Sequence, residues 1–171
     1  MSTGSGETPR AELVTTLDTE IRRMVARTVL FQQAIAERAG MSATELHCLN
    51  LLMMSGPMTT GQLAEETGLT RGGAITTVID GLEKYGYLRR ERDPQDRRRV
   101  LLHVRSDKAN RDMGHLYSSI GHRSAEIMEN YTDDELATIL DYVTRANQLS
   151  YDETRRLREQ VPRPNSRRRT S

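Results

Sequence analysis

A mainly α-helical chain with one small β-hairpin is the fold class the sequence predicts, and three observations predict it. The first is an apolar stripe at Ile75, Val78, Ile79 and Leu82, spaced i, i+3, i+4 and i+7 as on one helix face. The second is a short helical pattern, Thr59 to Thr67, parted from the striped segment only by Gly68 and Leu69. The third is two strand-like runs, Tyr87 to Arg92 and Val100 to Val104, around the turn formers Asp93-Pro94-Gln95-Asp96. Helix, tight turn, helix and hairpin is the order of a winged helix-turn-helix lobe. In that arrangement the second helix, 70–85, enters a DNA major groove and the wing, 89–104, lies beside it.

Each element follows from local chemistry. Residues 1–10, MSTGSGETPR, are expected to be disordered. Ala11 to Arg38 reads as a long helix with Leu17, Ile21, Met24, Phe31 and Ile35 along a packing seam, and Gly40 is placed to stop it. Ser42-x-x-Glu45 is a capping box, followed by Leu46, Leu49, Leu52 and Met53 as a buried face; Leu51 to Met54 reads as core. Gly56-Pro57 breaks that helix, and Thr59-x-x-Gln62 caps the next, with Leu63 and Ala64 inward. Thr70 is the expected N-cap of the striped helix and Gly86 its end. Gly72, Gly73 and Gly81 each cost that helix up to about 1 kcal/mol relative to Ala; at the first two, near the helix N-terminus, the backbone is expected to approach something closely. Ser106 or Asp107 opens a helix to about Tyr131 through Met113, Leu116, Ile120 and Ile127. Thr132-x-x-Glu135 caps a last one, striped by Leu136, Ile139, Leu140 and Val143 and running to about Glu159. The organisation is a DNA-binding lobe at 40–105, a helical dimerisation region at 11–39 and 106–160, and a disordered basic tail at 161–171.

Composition bounds the rest. At 171 residues the chain is one domain, or a small domain with an added oligomerisation element. With 36% hydrophobic residues, one Phe and no Trp, the core rests on aliphatic side chains, and long helices that complete their burial against a second copy fit that content. No run approaches the ~20 apolar residues of a membrane span or a signal-peptide core, and Cys48 is the only cysteine, so a cytoplasmic protein without membrane contact is expected. The net charge is only +1, but it is segregated. Arg89 to Arg99 holds six arginines against three acids, Asp107 to Glu153 ten acids against four bases, and the chain from Arg155 onward seven arginines against one acid. That segregation suits a protein with one nucleic-acid-facing side.

The run GLTRGGAITTVIDGLEKYGYLRRERDPQDRRRVLL, preceded by TTGQLAEETGLT, resembles the core of the multiple-antibiotic-resistance regulator (MarR) family. The resemblance covers about Leu13 to Leu157. It implies a homodimeric transcription regulator, most often a repressor, that reads a pseudo-palindromic site on double-stranded DNA and responds to a small-molecule effector. It also implies that Arg98 at the wing tip reaches the minor groove while Asp96 braces it. Arg97 and Arg99 are then phosphate contacts. On the helix, Arg71, Gly73, Thr76 and Thr77 are the candidates for base and phosphate contacts, and Thr60 and Gln62 for phosphate at a helix N-terminus. Thr77 and Gly81 stand where the family often has arginines, which shifts the expected readout toward the wing. An effector cleft is implied near Phe31, His47 and Met54.

Other chemistries are weighed on the same residues. His115 and His122 sit seven apart on one helix, His47 lies on another and His103 in a wing strand. Without an HxxxH pair or a second cysteine, no metal or other cofactor is expected. Cys48 lies among leucines and reads as packing, although a metal- or redox-sensing relative is an alternative. A winged-helix dimer serving protein assembly shares the fold signals but has no use for the hairpin arginines. No phosphate loop, nucleophile elbow or clustered carboxylates are present, so an enzyme is not expected.

Overall fold

A computed structural model describes residues 9–70 and 72–160. Of the expected disorder at 1–10, residues 1–8 lie outside the described residues, as do the basic tail at 161–171 and Arg71, whereas Arg10 is already helical. The order is α1 (Arg10–Ala39), α2 (Ala43–Ser55), β1 (Met58–Thr59), α3 (Thr60–Thr67), α4 (Gly73–Lys84), β2 (Leu88–Arg92), β3 (Val100–Val104), α5 (Ser106–Met128) and α6 (Asp133–Glu159). This is the mainly helical, hairpin-bearing fold that the sequence predicts. Among the described residues no helix is long and apolar enough to cross a membrane.

The chain falls into two units, Met1–Leu116 and Tyr117–Ser171. The first holds the core. All four stripe residues of α4, Ile75, Val78, Ile79 and Leu82, are buried, together with Leu46, Leu49 and Leu52 of α2, Leu63 and Ala64 of α3, Leu88 and Leu102 of the hairpin, and Met113 of α5. Burying such a side chain is worth roughly 1.5–3 kcal/mol, so α4 is fixed from behind by its whole apolar face. In the second unit no side chain is fully buried among the described residues. Its Ile139, Leu140 and Val143 stripe on α6 remains exposed, as do Leu13, Leu17, Met24, Val29 and Leu30 on α1 of the first unit.

Local signals set the helix ends. Ser42/Glu45, Thr59/Gln62 and Thr132/Glu135 form complete capping boxes, which satisfy orphan N–H groups at each start. Bonding to the Thr132 N–H and hydroxyl holds the Glu135 carboxyl below its ordinary range. Gly40 takes the left-handed conformation, φ 69°, and closes α1 through its N–H to Ala36 and Glu37 carbonyls.

Three expectations are corrected. Thr70 is not the cap of α4: Gly72 holds that place at φ 124°, ψ −122°, a conformation closed to side chains with a Cβ, so the helix starts after the glycine turn. Met53 and Met54 are not core, being 42% and 76% exposed at the end of α2; the apolar run outlasts the face that α2 buries. The hairpin also gains a third strand, since β1 pairs antiparallel with β3 through Met58↔Leu102 and Thr59↔Leu101, in the order β1-β3-β2.

Candidate nucleic-acid interface

The face of α4 opposite its buried stripe carries Gly73, Thr76, Thr77 and Asp80, all exposed. The Thr77 hydroxyl donates to the Gly73 carbonyl at 2.8 Å. Thr76 keeps its side chain in solvent. An added Cβ at Gly73 would meet nothing within 4 Å, so the backbone there is open to an incoming surface. At Gly81 the reason for glycine is different: a Cβ would fall 2.2 Å from Glu45 Oε1. The same carboxylate accepts the Ser42 N–H at 2.7 Å and the Ser42 hydroxyl at 2.8 Å. The α2 capping box thus rests directly on the backbone of α4.

Asp80 and Arg90 are the residues that sequence reasoning missed. A carboxylate on this face opposes DNA phosphate unless it is neutralised. Arg90, from β2, does so: Nη2 reaches Asp80 Oδ1 at 2.6 Å and Glu83 Oε2 at 3.2 Å. The pair fastens the wing to α4. The charge alternation was visible in the sequence, but which arginine turns toward the helix depends on strand register.

Two aspartates shape the wing tip. Asp93, 9% exposed, accepts the Gln95 N–H at 2.9 Å, and its own N–H donates to the Arg99 carbonyl at 3.0 Å. Asp96 Oδ1 accepts the Arg98 N–H at 3.0 Å and the Asp96 carbonyl accepts the Arg99 N–H at 2.9 Å. Asp96 therefore holds the backbone of Arg98 rather than its guanidinium, in the side-chain turn typical of Asp. Arg99 Nη1 lies 4.0 Å from Asp93 Oδ2. Arg92, Arg97 and Arg98 meet no carboxylate within 4 Å among the described residues. The loop spends its acids on its own backbone and leaves its tip cationic.

The remaining candidates are dispersed. Gln62 gives its side-chain oxygen to the Thr59 N–H and hydroxyl, both at 2.9 Å, and Thr60 is half-buried at the start of α3. Phe31 is half-buried on α1, while His47 and Met54 are exposed on α2, two turns apart. Cys48 is fully buried, and that burial, with Glu45 nearby, pushes its thiol up to about 11. Among the described residues no three of His, Cys, Asp and Glu converge as a metal site.

Comparison with known proteins bears on the fold and the family. Residues 41–100, from the end of α1 to the start of β3, match the MarR family model. The uncharacterized HTH-type transcriptional regulator YcgE of Bacillus subtilis (strain 168) is 37% identical over 150 residues, 88% of this chain and 96% of that protein. Among solved structures, a MarR family protein from Bacillus stearothermophilus is similar with a TM-score of 0.61 at 19% identity, over 84% of this chain and 99% of that one. The transcriptional regulator Tm0710 from Thermotoga maritima gives 0.54 at 21% identity, over 81% and 97%. These structural likenesses carry the fold, and the sequence relationship carries the membership. The chain belongs to the MarR family of transcription regulators.

Proposed function

We propose that the protein is a homodimeric repressor that holds a pseudo-palindromic duplex between two copies of this lobe. The observation that carries the reading is the wing tip, where Arg97 and Arg98 project free of carboxylates beside an α4 whose back is locked in the core. In it Arg98 enters the minor groove, whose narrow A·T-rich stretches attract a guanidinium. Arg97 and Arg99 meet phosphates. Arg71, Gly73, Thr76 and Thr77 line the major groove, with Thr60 and Gln62 against the backbone. With threonines in place of longer side chains on α4, more of the discrimination falls to the wing and to DNA shape. Exposed apolar residues of α1 and α6 supply the dimer contacts. A small-molecule effector near Phe31, His47 and Met54 modulates binding by altering the separation of the two recognition helices.

The test is duplex binding, over a salt titration, to DNA from upstream of the coding sequence. Arg98→Ala is expected to weaken binding and to lower the slope of log K against log salt by about 1. An unchanged slope would remove Arg98 from the interface. A stable dimer that binds no duplex at low salt would favour an assembly module instead.

A further inference from the structure

A basic depression lies at the base of the hairpin, away from the tip. Arg89 of β2, Val104 of β3, and Arg105, Asp107, Lys108 and Arg111 around the start of α5 line a volume of about 480 Å³. Four cations thus surround one lining carboxylate. Three of them have neighbouring acids: Arg89 Nε is 3.1 Å from Glu91, Lys108 pairs with Asp112, and Arg111 Nε is 3.9 Å from Asp112. These pairs are partly exposed, and such pairs contribute only about 0–1 kcal/mol, so an incoming anion can share or displace them cheaply. Arg105 has no carboxylate within 4 Å among the described residues. The first N–H groups of the 23-residue helix α5 add positive potential to the same wall.

The depression is separate from the surface assigned to DNA. Side chains alternate along a strand, so Arg89 lies on the sheet face opposite Arg90, which turns to α4. Arg89 pairs with His103 near the base of the hairpin, whereas the tip begins beyond Arg92↔Val100. An open depression bordered by three guanidinium groups and an ammonium fits a compact ligand better than a continuous backbone. We infer that this depression binds a small organic polyanion, a molecule carrying two or more phosphate or carboxylate groups. The site stands independently of the DNA reading.

Calorimetry on the full chain at low ionic strength tests it, with pyrophosphate and citrate as probes to separate phosphate from carboxylate, and acetate as the singly charged control. One saturable site per chain is expected for pyrophosphate, citrate or both, and none for acetate. Arg105→Ala and Arg111→Ala should each weaken it by roughly fivefold or more, while Arg97→Ala at the wing tip should leave it within about twofold. The Arg105 side chain is exposed and its backbone bonds remain in the variant, so loss of fold is not expected, and a thermal melt checks this. Absence of saturable binding, equal weakening by all three variants, or displacement of the probe by a duplex would each overturn the proposal.

Discussion

Gly81 presents a helix interior with the residue least suited to it, and its neighbour Glu45 explains the choice. Replacing Gly by Ala in a helix ordinarily gains about 0.8–1 kcal/mol. Here the new Cβ would collide with a carboxylate committed to the Ser42 cap, and a lost cap costs about 0.5–2 kcal/mol. Gly81→Ala is therefore expected to bring no gain in the wild-type chain. In a Glu45→Ala background the same change should stabilise by about 1 kcal/mol. Urea midpoints across the four proteins check this, and additive values would contradict the contact. The cost of Gly81 was legible in the sequence, but its cause was not, because Glu45 lies 36 positions earlier and meets it only after folding. The leucine neighbours of Cys48 point to packing, and the structure buries the residue fully. With its thiol pushed up to about 11, native protein at pH 7–8 should resist thiol reagents that label the urea-unfolded chain at once. Because its folded value is raised from 9.0, its contribution to stability is complete below pH 9 and falls away as pH rises toward 11. Rapid labelling of the native protein would contradict the packing role.

Elements were legible where their signals are local. The three capping boxes and the α4 stripe were readable as short spacings, and the structure forms them all. The strand β1 was not, because two residues carry no periodicity and owe their pairing entirely to β3. The α4 start was misplaced because a threonine is a good cap by propensity, whereas Gly72 alone permits the chain direction found there. Between elements, the Arg90 link to Asp80 and Glu83 ties wing to helix. Its groups are 41%, 57% and 30% exposed, so Arg90→Ala should cost no more than about 1 kcal/mol of stability. Duplex affinity should fall further, by roughly tenfold, because the change releases the wing and leaves the Asp80 charge facing phosphate. Parallel melting and duplex-binding measurements decide this. Affinity that stays unchanged would show that wing and helix need no such tie.

For the whole molecule, the apolar residues left in solvent are as informative as those buried. Leu17 on α1 and Leu140 on α6 are 50% and 67% exposed, costly in a lone chain but natural where two copies meet. The sequence showed these stripes plainly, yet could not say which would be left uncovered, since that depends on which faces the first unit's core consumes. Leu140→Glu should shift sedimentation toward monomer and lower the melting temperature in a concentration-dependent way. A variant that stays dimeric would move the interface elsewhere. The central claim, two lobes reading one duplex in fixed register, is tested most directly by half-site spacing. The duplex bound upstream of the coding sequence is footprinted, and five base pairs, about half a helical turn, are then inserted between its half-sites. Two chains per parent duplex and a loss of affinity of at least about tenfold on insertion are the predicted result. One chain per duplex, or affinity indifferent to the insertion, would contradict it.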